Sequence, residues 1–299
     1  IVGLQCFADG QHPFSLANLR AVRATADRHG LRLVLDVSRV IENAWYVQRH
    51  EEGQAERSIA DLVKQIAKSA HVILIDGAQG PKSNTGGFLA TDNPADHEHF
   101  MNEVVLYEGL HTYGGMAGRT MEVLARGLAE MCSEDEVQWV MHQTERFTAR
   151  LRDGGVPLER GCDGAYLKAD EFLPHVTAFP EHALAVALYQ SAGVRTVVPG
   201  RSGHDNLLPL QVPRLAMTNW QLDQVADAVV SLFRQREKVA PLDLELGSDW
   251  NDKIRFRSVF ADLATYDFDC YPFVIHTIEP IGMTTREQRE KAMREAGWN

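Results

Sequence analysis

The chain has 299 residues, 41 acidic against 30 basic, a formal charge of −11 and 44% hydrophobic composition. That length supplies one large or two ordinary domains with sizeable cores, while the acidic balance excludes a protein built to grip nucleic-acid backbones, which takes a basic face. No apolar run approaches the roughly 20 residues that cross a bilayer, so no membrane is expected as a partner. Residues 1–6 read as a short apolar strand. Ser15 then caps a helix carrying Leu16, Leu19, Val22 and Ala26 on one face, and Gly30 stops it. Residues 31–35 are apolar except for Arg32, read as a strand buried on both faces, and they deliver Asp36 to its carboxyl end. Ser58 caps a second helix with Ile59, Leu62, Val63 and Ile66, and residues 71–75 repeat the buried-strand pattern up to Asp76. Such an order predicts a parallel α/β sheet covered by helices. Ligands of these sheets lie beyond the carboxyl ends of the strands, which directs attention to the loops after Leu35 and Ile75.

From about Arg119 the pattern turns helical, with Met121, Leu124 and Leu128, then Val137, Val140, Met141 and Phe147 at helical spacing, until Gly154 and Gly155. Short strands are expected at 164–168, 194–198 and 214–217, with helices around 181–191 and 220–236. This mixture predicts a smaller α+β domain over 136–299, against a sheet-bearing domain over 1–135. Thr284 to Glu287 forms a capping box that opens a charged helix to Ala296. Cys6, Cys132, Cys162 and Cys270 are far apart and form no CxxC pair, so buried reduced thiols are expected rather than disulfides or a zinc site. Residues 1–5 carry no basic region or cleavage site, and a cytoplasmic location follows by default.

Three segments carry chemistry. In 33–44, Asp36 at a strand end and Arg39 three residues on can both face the cleft above the sheet, although an Asp there also serves as an ordinary turn residue. In 75–89, the glycines allow close backbone approach and Lys82 can act as an imine-forming amine or a phosphate contact; a solvent-exposed turn is the plainer reading. A phosphate loop is excluded, since GxxxxGK[ST] is absent. In 107–119, Tyr113 precedes two glycines and can donate a proton into a site, or merely pack its loop. Asp96, His97, Glu98 and His99 read as a hydrated helix face rather than a metal site.

Taken together, these stretches resemble the tyrosine phenol-lyase and tryptophanase family, β-eliminating lyases that use pyridoxal 5′-phosphate. The resemblance rests on residues 12–22, 36–44, 86–89 and 107–119, and extends loosely to about residue 260. It implies a fold of the aminotransferase-like class, pyridoxal-phosphate fold type I: residues 1–135 hold the later part of a large domain with a mainly parallel sheet, and residues 136–299 a small α+β domain. It implies that Asp36 pairs with the cofactor's pyridine nitrogen, keeping it protonated so that the ring absorbs carbanion charge. Arg39 would lie near the phenolic oxygen, and Arg214 would grip the α-carboxylate of an amino-acid substrate through two hydrogen bonds. Tyr113 matches an active-site tyrosine, and the backbone carbonyl of Asn84 matches a ligand of K+ or another monovalent cation.

The departures are as informative. The family's imine-forming lysine stands seven residues before the paired glycines, and counting seven back from Gly86 reaches Gln79. An amide forms no imine; Lys82 replaces the amine only if the loop slips by three residues. The family's asparagine near the carboxylate falls on Phe7, its Gly-Gly-His loop becomes Gly161, Cys162 and Asp163, and a substrate-contacting arginine falls near Pro199. The family's Gln-Gly-Arg phosphate cup has no counterpart ahead of Ile1, whereas residues 271–299 resemble the family's own N-terminus. The order reads as rotated, as a permutation, a junction of fused copies or a split enzyme would give, and a homologous partner chain or homo-oligomer is expected. Three functions follow: a lyase or lyase subunit of this class; a non-catalytic homologue that completes or regulates an active partner; and a lysine-free enzyme with noncovalent cofactor, in which His12 moves protons.

Overall fold

The computed structural model describes residues 1–4, 12–110, 115–197, 206–246 and 255–258. Phe7, Tyr113, Pro199, Cys6, Cys270, His111 and the segment 271–299 lie outside them.

The first sheet has the order β1-β2-β3-β4, from β1 (Val2–Gly3), β2 (Val34–Asp36), β3 (Val72–Asp76) and β4 (Gly87–Thr91). The first two pairings are parallel, with Leu35 beside Ile73 and Asp36 beside Leu74; the third is antiparallel, with Ile75 beside Phe88. Helices α1 (Leu16–Arg28), α2 (Val40–His50) and α3 (Ile59–Lys68) cover the sheet. Ser15 and Ser58 are the N-caps the sequence predicts, each side chain accepting from a backbone N–H three residues on. The core of this part joins Leu16, Leu19, Leu35, Ile41, Leu62 and Ile66, all fully buried.

Two side chains of the second helix fix the start of the first. Glu51, the C-cap of α2, accepts from the N–H groups of Leu16 (2.7 Å) and Ala17 (3.0 Å), satisfying donors that the first turn of α1 leaves without intrahelical partners. Asn43, fully buried, accepts from the N–H of Phe14 at 2.7 Å and donates to its carbonyl at 3.0 Å. The approach to α1 is thereby clamped to α2 through side-chain amide and carboxylate.

After α4 (Pro94–Glu108), α5 (Gly118–Glu130) and α6 (Glu134–Asp153) comes an antiparallel sheet, β5-β6-β7, of β5 (Leu158–Arg160), β6 (Gly164–Lys168) and β7 (Leu207–Gln211). Helices α7 (Ala169–Phe172), α8 (Pro180–Ala192) and α9 (Asn219–Arg234) accompany it, and β8 (Leu242–Leu246) pairs with β9 (Arg255–Ser258). A second core gathers Leu151, Leu167, Phe172, Leu184, Leu208 and Val229. The long helix α6 serves both cores: Val137 and Met141 pack into the first, Phe147 and Leu151 into the second. Arg146 with Asp223 and Arg150 with Asp227 lace its outer side to α9.

Several expected elements differ. The helical stretch after Arg119 is two helices broken near Cys132. Leu31 is exposed and the second strand starts only at Val34. Residues 194–197 follow the left-handed C-cap Gly193 and have no ladder; Thr196 instead donates its hydroxyl to the Pro209 carbonyl. Residues 214–217 form a turn, because Pro213 brings no N–H and Leu215 has φ 54°. The paired glycines read as loop lead into β4, where Gly87 faces Asp76 so closely that a Cβ would strike the Ile75 carbonyl. Asp96, His97, Glu98 and His99 lie on α4, which buries no residue, the surface helix that the sequence suggests.

Asn43→Ala removes both Asn43 bonds of the clamp and leaves the partly buried Phe14 backbone groups unpaired. We expect a loss of about 2 kcal/mol in urea unfolding; an unchanged midpoint would refute the clamp's role.

Candidate functional site

The carboxyl ends of β2 and β3 carry a relay of short polar contacts. Asp36 Oδ1 accepts from the Ser38 N–H (2.9 Å) and hydroxyl (2.6 Å), and the Ser38 oxygen accepts from the Asp76 N–H at 2.9 Å. Asp76 in turn accepts from the Ala78 N–H at 2.9 Å and from the Gln79 amide at 3.4 Å. The loop that follows is held by backbone bonds from Gly77 N to the Gly86 carbonyl and from Ser83 N to the Gly77 carbonyl, both 2.8 Å. Helix α5 packs directly on it: a Cβ at Gly127 would run into the Pro81 carbonyl. Lys82, next in sequence, adopts the left-handed conformation at φ 59°.

Beyond this relay opens a cavity of about 760 Å³. Its walls bring together Arg39, Gln79, Lys82 and Arg214 with apolar groups of the second sheet and α9, including Leu210, Val212, Met217 and Trp220. Among the described residues, the charged side chains on its walls are Arg39, Lys82, Arg195 and Arg214, all cationic. In a chain of net charge −11, this is a local reversal of sign that suits an anion.

The carboxylates that balance these cations stand behind the walls. Arg39, at the N-terminal edge of α2, pairs with buried Asp163 at 3.0 Å. Asp163 also accepts from the Tyr166 hydroxyl at 2.9 Å and from the Gln211 amide. Lys82 Nζ lies 2.6 Å from Glu136 Oε2 on α6. Arg214 donates from Nη2 to Glu42 Oε1 on α2 and lies 3.7 Å from Glu136 through Nη1. The turn bearing Arg214 is anchored from α6 by buried Gln143, which donates to the Met217 carbonyl and to Asn219, each at 3.0 Å.

Burial works against the Glu42 carboxylate, but the guanidinium groups of Arg214 and Arg39 outweigh it and hold the group below the ordinary glutamate range. At Asp163 burial prevails over Arg39, aided by the nearby Glu42, and its carboxyl is raised. Burial also pushes the Cys162 thiol up, as it does Cys132, so both are inert thiols.

The cavity therefore unites four of the residues that the sequence singles out: Arg39, Gln79, Lys82 and Arg214. Asp36 belongs to the adjoining relay and is not among the wall residues. His12 lies elsewhere, 61% exposed and 3.8 Å from Glu159, and Asn84 is exposed in its turn. Glu42, Glu136 and Asp163 escape identification as partners from sequence. The one signal for Glu42 is its place in α2, between Val40, Ile41 and Ala44 on a helix buried almost all round.

These features define an α/β protein of the aminotransferase-like, pyridoxal-phosphate fold type I class. A solved serine palmitoyltransferase from Sphingomonas wittichii shares the fold at a TM-score of 0.51 and 17% identity, over 80% of this chain and 55% of that one. The sequence profile of the β-eliminating lyases matches residues 7–227. A tyrosine phenol-lyase of Nostoc punctiforme is 35% identical over 261 residues, 82% of this chain and 56% of that protein, and one of Symbiobacterium thermophilum is 34% identical over 250 residues, 78% and 55%. The chain belongs to the β-eliminating lyase family, whose cofactor is pyridoxal phosphate, and spans about half the length of the curated relatives it matches.

Glu42→Gln should lower stability at neutral pH by about 3 kcal/mol, because buried Arg214 loses the carboxylate it is hydrogen-bonded to. The folded carboxyl titrates below its unfolded value. Its contribution is therefore complete above the ordinary glutamate range and drains away as pH falls through the folded value. Urea unfolding of both proteins from about pH 7 to about pH 3 should show the deficit shrinking in acid; a constant deficit would contradict the assigned ion pair.

Proposed function

We propose that the chain is a pyridoxal phosphate-dependent lyase of the tyrosine phenol-lyase and tryptophanase kind, cleaving a carbon–carbon bond of an amino acid by β-elimination. It is a divergent member or a subunit, in which Gln79 takes the place of the catalytic lysine. The observation that carries this reading is the cavity at the carboxyl ends of β2 and β3, whose charged walls are cationic and whose remaining walls are apolar.

The residues present suit the cofactor and substrate as anions. Arg214, 7% exposed, lines the cavity and is held from behind by Glu42 and Glu136. Pyridoxal phosphate, when bound, supplies an electron sink for the charge left at the reacting carbon. Asp36 would hold its pyridine nitrogen protonated, and Arg39 would orient the ring through its phenolic oxygen. Arg214 would bind the substrate's α-carboxylate, with Phe7 beside it. Tyr113 would donate a proton to the departing group. The Asn84 carbonyl would ligate K+ or a related monovalent cation. Gln79, on the wall and bonded to Asp76, orients but forms no covalent link. Lys82 is the one amine on the cavity wall among the described residues.

A second reading, a non-catalytic homologue that completes or regulates an active partner, is favoured by Gln79 itself and by the carboxylate counter-ions of Arg39, Lys82 and Arg214. Both readings include assembly with a further copy or a homologous chain, in the cytoplasm. Support for assembly comes from exposed apolar residues on α4 and just beyond it, Val105, Leu106, Tyr107 and Leu110, with Val123 on α5. No described helix is long and apolar enough to cross a membrane.

Titration of the purified chain with pyridoxal phosphate, followed by absorbance, tests the reading. We expect saturable binding that Asp36→Asn weakens about tenfold or more, and release of phenol or indole from tyrosine or tryptophan decides between catalyst and companion. Gln79→Lys should convert the bound cofactor into a borohydride-fixed adduct at position 79. No saturable binding by the chain, alone or with a homologous partner, would refute the proposal. Native mass measurement should find an assembly, and Leu106→Lys should shift it toward monomer.

A further inference from the structure

Three of the four cations on the cavity wall are neutralised from behind: Arg39 by Asp163, Lys82 by Glu136 and Arg214 by Glu42. The fourth, Arg195, is exposed, and among the described residues no hydrogen bond or ion pair engages its side chain. None of the described wall residues is acidic, so Arg195 is the uncompensated charge of the cavity. A hydrated arginine on a surface is ordinary; this one has its backbone fastened to the cavity. Left-handed Gly193 ends α8, the Val194 N–H donates to the Leu188 carbonyl at 3.4 Å, and the Thr196 hydroxyl donates to the carbonyl of Pro209. Pro209 lies on β7, the edge strand of its sheet, two residues before Gln211, whose amide donates to Asp163, the partner of Arg39. Two residues of strand span about 7 Å, so the anchors of Arg195 and Arg39 stand about that far apart along one strand. The elements that carry these anchors, with α9, also supply apolar lining: Val194, Leu210, Val225 and half-exposed Trp220.

We propose that Arg195 is a specificity-determining residue that receives a second anionic group, a carboxylate at the far end of the ligand's side chain. This rests on the proposed function, in which an amino acid occupies the cavity, and it narrows the substrate class to amino acids whose aromatic or apolar side chain ends in a carboxylate. The charge balance favours such a ligand. The other three cations already face carboxylates, which repel a further anion, whereas Arg195 faces none. Apolar walls leave less water to screen a carboxylate, which strengthens its pairing with a guanidinium. They also cover the body of the side chain, and a neutral side chain of the same size gains that burial alone.

Calorimetric titration of the full-length chain with two compounds tests this: hydrocinnamate, with one carboxylate, and 4-carboxyhydrocinnamate, which adds a second at the far end of the ring. Wild type should bind the second compound about tenfold more tightly at low salt, an advantage that shrinks as ionic strength rises. Arg195→Met, checked for folding by circular dichroism, should erase the advantage and leave hydrocinnamate binding unchanged. Arg195→Lys, which keeps the charge without the planar fork, should retain part of it; if Arg195→Met fails to fold, Arg195→Gln takes its place. Equal affinity of wild type for both compounds, no binding of either, or an advantage that survives loss of the guanidinium overturns the inference. So does an equal weakening of both compounds, which would make Arg195 a support of the fold. The proposed function is judged separately, by pyridoxal phosphate: saturable cofactor binding without an Arg195-dependent advantage sinks this inference alone.

Discussion

Two crossed ion pairs tie the parallel-sheet part to the antiparallel-sheet part. Arg39 and Glu42 lie within one turn of each other at the start of α2, a cation and an anion, and they meet Asp163 and Arg214, an anion and a cation. Any sliding of α2 that exchanged the partners would set like charge against like. Buried ion pairs add little net stability, because desolvation offsets attraction, yet breaking one leaves an uncompensated charge. Their value here is registration. They place the cavity walls, since Arg39 and Arg214 stand on opposite parts of the chain and both line it. Gln143, anchoring the Arg214 turn from α6, and Gln211, donating to Asp163, extend the same network.

Much of the first sheet is legible in sequence. Two buried strands end in Asp36 and Asp76, and two helices begin at Ser15 and Ser58, because local propensity and burial agree there. The misread segments are those where composition and pairing part company. Residues 194–197 and 214–217 have strand-like side chains but pair with no strand, while β4 contains the glycine that favours a loop yet pairs across its length with β3. The site shows the same division. Arg39 and Lys82 stand out in their segments, Gln79 and Arg214 come from motif resemblance, and the structure gathers all four in one cavity. Their counter-ions are invisible in sequence because the pairs are distant along the chain, 172 residues apart for Glu42 and Arg214 and 54 for Lys82 and Glu136. A glutamate on a helix looks solvated until its neighbours are known.

The backbone at the cavity is held in an unfavourable state on both sides. Lys82 and Leu215, which follows Arg214, both have φ in the left-handed region, where a side chain is disfavoured. Each is fixed by packing from elsewhere: the Lys82 loop by α5 at Gly127, the Leu215 turn by Gln143. Such constraint costs folding energy and persists only because surrounding contacts over-determine it. Lys82 and Arg214 are thus presented by constrained turns.

Glu51 has a consequence for the order of events during synthesis. Helix α1 begins at Leu16, but the acceptors for its first two amide groups belong to a side chain that emerges 35 residues later. A nascent chain holding only α1 must leave those donors to water, and a 13-residue helix is marginal alone. The helix becomes secure only after α2 has left the ribosome and turned back. The earliest unit to gain native shape is therefore the pair of helices with the strand between them.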